Sequence, residues 1–287
     1  MNGPDVQHFH DADTGTLSYV VSDPASGAAA VIDPLLGFSM SSGRIDDRQA
    51  RDIIAWLRDH QLRLHWILET HAHADHLSAA QYIKSELGGS TGIGEGICAV
   101  QQRFAHIFNY KPPFRADGHQ FDRLFADGEA FALGELTVRV IATPGHTSDS
   151  ITYLVGDAAF PGDSIFMPDY GTARCDFPGG DAGQLYDSIQ ALLALPPDTR
   201  LFMCHDYRPN ERELRFEATV REQADTNIHV RRGTRREDFV RMREQRDATL
   251  DLPRLLLPAI QVNIRAGNLP PAEDNQVAYL KIPLDYL

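Results

Sequence analysis

Thr70-His71-Ala72-His73-Ala74-Asp75-His76 places three histidines and one aspartate within six residues. Just before it, Leu64-His65-Trp66-Ile67-Leu68-Glu69 is apolar and aromatic enough to read as a buried strand, so the cluster sits at a strand end. On an extended backbone, side chains at i and i+2 point the same way, and His71 and His73 can reach one point together. Asp75 and His76 follow where a helix is expected to start, with Leu77, Ala79, Ala80, Ile83 and Leu87 at approximately helical spacing. A lone histidine at a strand end ordinarily satisfies a local hydrogen bond. Four imidazole and carboxylate groups around one turn are instead what a divalent metal site needs.

Upstream, Thr16 to Ser22 and Ala28 to Asp33 read as two strands of a hairpin, separated by Asp23-Pro24-Ala25-Ser26-Gly27. A loop through Ser41-Ser42-Gly43 leads to Asp46, an expected N-cap with Gln49 three residues on. Ala50, Ile53, Ile54 and Leu57 then mark an amphipathic helix. Downstream, Asn109 to Gln120 reads as a surface loop, and Phe131 to Ile141 returns to alternation around a Gly134-Glu135 turn. That stretch ends at Thr143-Pro144-Gly145-His146-Thr147, a second strand-end histidine. Ser150 to Val155 and Ala158-Ala159-Phe160 are further strands, followed by Pro161-Gly162-Asp163 and an ordered loop to Gly183. A helix over Leu185 to Leu195 precedes a buried strand, Arg200 to Cys204, which delivers His205-Asp206-Tyr207. The chain then turns helical and charged, with a Thr234/Glu237 capping box ahead of Phe239 and a proline-rich tail at Asn268 to Asp274.

This pattern is expected to form one α/β domain over residues 1–287. Two strand-rich halves pack face to face with helices outside, and a helical and extended C-terminal region runs from about 211 to 287. The candidate ligands are His71, His73, Asp75, His76, His146, Asp163 and His205. All lie at or near strand ends, so convergence on one cleft is expected.

Composition bounds the partners. A formal charge of -13 argues against nucleic acid and anionic membranes, because phosphate binding depends on a basic surface. No apolar run approaches the length that crosses a bilayer. Met1 to Val6 has neither a secretory nor a transit-peptide pattern, and Cys98, Cys175 and Cys204 form no CxxC pair, so a reducing, cytoplasmic address is expected. Of 27 cations, 24 are arginines, half of them between Arg208 and Arg254. Most are expected on solvated helix faces beside acids, leaving a few for a carboxylate.

The ordered set HxHxDH, TPGHT, GD and a final strand-end histidine resembles the signature of the metallo-β-lactamase superfamily. The resemblance implies an αββα sandwich of two mixed sheets with the metal site along one edge. Further along, Gly171-Thr172-Ala173-Arg174-Cys175-Asp176-Phe177 is similar to the GxxRxDF stretch of the persulfide dioxygenases, and His205-Asp206-Tyr207 to their HDY. Leu257 to Asn263 resembles their C-terminal region.

That likeness implies one Fe(II) per chain held by His71, His146 and Asp163, with His73, Asp75, His76 and His205 orienting ligands or managing protons. The implied reaction oxidises glutathione persulfide with O2 to sulfite and glutathione. Arg174, with its planar donor fork, is expected to meet a glutathione carboxylate, and Tyr207 to hydrogen-bond substrate. Arg174 could alternatively brace its loop against Asp176 or Asp169, and Tyr207 could simply be a packed aromatic. Relatives make a homodimer compatible with the sequence. The alternative activity is a dinuclear zinc thioester hydrolase of the glyoxalase II type, which the full set of seven ligand positions also permits.

Overall fold

The computed structural model describes residues 3–112 and 114–286. β1 (Asp5–His10), β2 (Leu17–Ser22) and β3 (Ala28–Ile32) form an antiparallel meander. β4 (Leu35–Ser39) and β5 (Arg44–Asp46) make a side hairpin, after which α1 (Arg48–Asp59) crosses over to β6 (Arg63–Leu68), parallel to β3. Beyond the histidine cluster come β7 (Leu77–Ser78), α2 (Ala80–Leu87), β8 (Ser90–Gly94), α3 (Ile97–Ile107) and β9 (Arg123–Phe125). The first sheet has the order β1-β2-β3-β6-β8-β9.

β10 (Ala130–Leu133), β11 (Leu136–Ala142), β12 (Ile151–Val155) and β13 (Ala158–Phe160) then run antiparallel. α4 (Ala182–Leu193) connects β13 to a parallel β14 (Arg200–Phe202), and β15 (Glu217–Thr219) closes a second six-stranded sheet in sequential order. α5 (Val220–Thr226), α6 (Arg236–Asp247) and α7 (Leu256–Asn263) complete the chain's helices among the described residues. None of the described helices is long and apolar enough to cross a membrane.

The two-residue period of each strand makes the layers. Leu17, Tyr19 and Val21 point into the core shared with Val138, Val140, Tyr153 and Phe160 of the second sheet, whereas Val20 faces Ile53, Leu57 and Ile83 of the outer helices. On the other outer face, Leu201 and Ala159 pack with Leu185, Ile189 and Phe239. Truncating one such side chain to alanine costs about 2–5 kcal/mol. The inter-sheet core also anchors the site. Tyr153 donates its hydroxyl across the sandwich to the Glu69 carbonyl (3.0 Å), pinning the end of β6.

Three local expectations shift. No helix starts at Asp75, because Leu77 and Ser78 pair with Leu36 and Leu35 as β7, and α2 begins only at Ala80. Asp46 stands one residue outside the cap position of α1, its carboxylate taking the Arg48 amide (3.0 Å) and side chain instead. The Thr234/Glu237 box does not form. Arg235 is the residue before α6, and the Thr234 carbonyl accepts from the Tyr186 hydroxyl.

Candidate metal centre

Strand ends from both sheets meet at one edge. His71 follows β6, His146 follows β11 and Asp163 follows β13, and one candidate ligand atom from each lies within 4.8 Å of the others. Asp163 Oδ2 is 4.0 Å from His71 Nε2 and 3.6 Å from His146 Nε2. Both rings are aimed through their other nitrogen. His71 Nδ1 lies 3.0 Å from the Thr70 hydroxyl, which itself donates to Asp33 Oδ2 at 2.8 Å, so the hydroxyl oxygen accepts from the ring. His146 Nδ1 donates to the Arg174 carbonyl at 2.8 Å. Each Nε2 is thereby left as a lone pair facing Asp163.

The donor set fits a divalent cation. His71 Nε2 is buried with no hydrogen-bond partner among the described residues. Such an orphaned atom costs about 1–3 kcal/mol unless something pairs with it. The electrostatics agree. Burial and the positive charge of neighbouring rings hold His71 well below its ordinary range, which favours a neutral ring. Asp163 is pulled well below the usual carboxylate range: burial opposes its ionisation, but His205, His71 and His146 outweigh that.

The other four expected residues divide. His205 Nε2 approaches Asp163 Oδ1 (3.3 Å) and Asp75 Oδ2 (3.4 Å), and these carboxylates lift its pKa to about 9 against burial. His76 groups with Asp75 and His73, and burial pushes its pKa down to about 4. His73 packs its ring 4.0 Å from that of His71 but sets Nε2 at 3.0 Å from Asp33 Oδ1 and 3.6 Å from Glu69 Oε2. Burial lowers its pKa, but the two carboxylates more than offset this and raise it to about 10. Glu69 itself is pushed up to about 8, chiefly by burial.

Beside the triad opens a cavity of about 310 Å³, lined by His146, Asp163, Phe166, Tyr170, Phe177 and Tyr207 among others. Tyr207 is 44% exposed and stacks on His205 at 5.2 Å. Arg174 lines the cavity with its donors already engaged. Nε and Nη2 bind both oxygens of Asp176 at 2.6 Å, and Nη1 binds the Asp251 carbonyl at 2.7 Å. Of the two roles expected for Arg174, this geometry matches the loop brace. The cation left over at the rim is Arg246, exposed and without a carboxylate or side-chain hydrogen bond among the described residues.

Several working residues escape the sequence reading. Asp33 looks like a strand terminator, yet it takes both the Thr70 amide (2.7 Å) and its hydroxyl. Asp149 accepts the Ala72 amide (2.9 Å) across the two sheets. Asp247 binds the Cys175 amide (2.8 Å) while paired to buried Arg243, which donates to the Thr172 carbonyl, so α6 fixes the loop whose carbonyl holds His146. Asp206 of the HDY stretch is taken by Arg212 at 2.7 Å and is no ligand. The usable signal was the Pro161-Gly162-Asp163 turn. Gly162 has φ of 53°, and a Cβ there would lie 2.5 Å from Thr70 Oγ1, so glycine is needed for Asp163 to approach.

A family model of the metallo-beta-lactamase superfamily matches residues 12–205. The chain belongs to that superfamily. It is 52% identical to a probable metallo-hydrolase of Burkholderia pseudomallei, over 98% of this chain and 99% of that protein. It is 46% identical to Glyoxylase B2 of Dictyostelium discoideum, over 100% and 99%. The mitochondrial persulfide dioxygenase ETHE1 of Homo sapiens matches at 26% over 88% of this chain and 84% of its own length. Among solved structures, ETHE1 from Myxococcus xanthus superposes with a TM-score of 0.73 at 28% identity, covering 92% of this chain and all of that one.

Proposed function

We propose that the protein is an iron-dependent dioxygenase that oxidises glutathione persulfide with O2 to sulfite and glutathione, using one Fe(II) per chain held by His71, His146 and Asp163. The observation that carries this reading is the split among the histidines. His71 and His146 turn free Nε2 atoms toward Asp163, whereas His73 lies against Asp33 and Glu69. Two imidazoles and one carboxylate are the donor set that would suit a non-haem Fe(II) able to take up substrate and O2. The likeness to ETHE1 supports the same reading.

When bound, the ion supplies the redox chemistry that moves both atoms of O2 onto the terminal sulfur of the persulfide. Water then cleaves the S–S bond of the resulting sulfinate, so one O2 and one H2O yield one sulfite and one glutathione. The protein's own part is placement. Thr70 and the Arg174 carbonyl aim the two rings. Phe166, Tyr170 and Phe177 give the cavity an apolar wall that sheds water. The Tyr207 hydroxyl can donate to the bound sulfur compound, and Arg246 offers a guanidinium to a glutathione carboxylate at the rim.

A second reading, a dinuclear zinc thioester hydrolase, draws on Asp75 and His205 standing 3.4 Å apart beside Asp163 and on the likeness to Glyoxylase B2. Metal analysis with an oxygen electrode separates the two. One iron per chain and one O2 consumed per sulfite formed are expected. Two zinc ions with S-lactoylglutathione hydrolysis and no oxygen uptake would overturn the dioxygenase.

A further inference from the structure

The histidine loop is gripped from behind by a residue almost two hundred positions away. Asn263, the last residue of α7, is 4% exposed. Its Nδ2 donates to the carbonyls of His73 and His76, both at 2.8 Å, and its Oδ1 accepts the Ser78 amide at 2.7 Å. One amide thus spends both donors and an acceptor on the main chain of residues 73–78. The packing brings the helix close enough to do this. Ala72 shares a buried cluster with Ile260 and Ile264, Ala74 with Leu256, and Leu77 with Ala259 and Val262. Past the helix, a Cβ on Gly267 (φ 86°) would sit 3.0 Å from the Ser78 carbonyl, so the chain turns away hard against the loop.

We propose that Asn263 is a positioning residue for the metal ligands. It fixes the main chain from His73 to Ser78, the segment that directly follows His71 and carries Asp75 and His76, so metal affinity and coordination geometry depend on it. Outer partners that orient ligands govern metal binding in this way. The inference rests on the metal-site reading but not on the identity of the metal or the reaction, so a zinc hydrolase would leave it intact.

Gln261 provides a matched control on the same helix. It is 1% exposed and makes four side-chain hydrogen bonds against three for Asn263, but to Leu257, Lys281 and Tyr110 rather than to the loop. Full-length protein loaded with cobalt(II) is titrated with a competing chelator, and its visible absorption is recorded. Asn263→Leu is expected to weaken cobalt binding about 10- to 100-fold and to shift the ligand-field bands. Gln261→Leu keeps wild-type affinity and spectrum even where its melting temperature falls as far. Wild-type affinity and bands in Asn263→Leu, or the same loss in Gln261→Leu, would overturn the proposal. Where Asn263→Leu does not fold, hydrogen exchange on the unaltered protein decides. The Ser78 amide should exchange as slowly as amides of α7, and exchange at the rate of exposed loops refutes the clamp.

Discussion

His71 and His73 leave the same extended stretch two residues apart, both buried to 1% or less, and end in opposite states. His71 is held by a hydroxyl on Nδ1 and offers a bare Nε2 to Asp163, with its pKa well below the ordinary range. His73 is drawn into the acidic pocket of Asp33 and Glu69 and rises to about 10. The same contrast separates two arginines on the cavity: Arg174 is spent on Asp176, while Arg246 has no carboxylate partner among the described residues. Residue type and spacing bring a side chain to the site, but its nearest carboxylate decides whether it serves there or anchors the fold.

The largest test removes the carboxylate on the serving side. Asp163→Ala should lose nearly all bound metal and turnover together, whereas Asp75→Ala should retain more metal by elemental analysis. Equal loss would erase the distinction between triad and surroundings. Next comes the anchoring side. Asp33→Ala takes the nearest carboxylate from buried His73 and the acceptor from the Thr70 amide and hydroxyl, and should cost about 3–5 kcal/mol in urea unfolding. An unchanged midpoint would mean the acidic pocket does not hold the fold.

The two arginines give a smaller split. Arg246→Ala should raise KM for glutathione persulfide by about ten-fold or more, with kcat nearly unchanged, as befits loss of one charged hydrogen bond worth about 1.5–3 kcal/mol. Arg174→Ala should lower the melting temperature before it moves KM. The smallest effect is the pH dependence of the metal-free protein. His71 and His76, with depressed folded pKa values, contribute stability above the ordinary 6.5 that is lost as pH falls toward about 4. His73, raised from 6.5 to about 10, contributes stability in full below 6.5 that is lost as pH climbs through 10. Melting temperatures should therefore fall at both ends, and Asp33→Ala should flatten the alkaline limb alone.

The sandwich was legible because Phe131 to Ile141 carries a two-residue alternation, Thr16 to Ser22 reads as a hairpin strand and Arg200 to Cys204 as a buried strand. The seven polar candidates were legible because each ends such a stretch, and the structure gathers all of them at one edge. What spacing could not reveal was division of labour. Asp33 reads as an ordinary residue before proline, and only the parallel pairing of β3 with β6 sets its carboxylate under Thr70 and His73. Asp149 and Asp247 act across sheets or from distant helices on backbone amides, contacts that leave no local pattern. The misplaced helix start at Asp75 has the same origin, since β7 exists only because β4 lies beside it.

One contact carries a consequence for how the site can drift in evolution. His146 is steered by the main-chain oxygen of position 174, and every amino acid brings that oxygen. The aim of His146 thus asks nothing of the residue type at 174, whose side chain is occupied in bracing the loop against Asp176 and Asp251. Position 70 has no such freedom, because it steers through a hydroxyl on Cβ, which only serine and threonine carry.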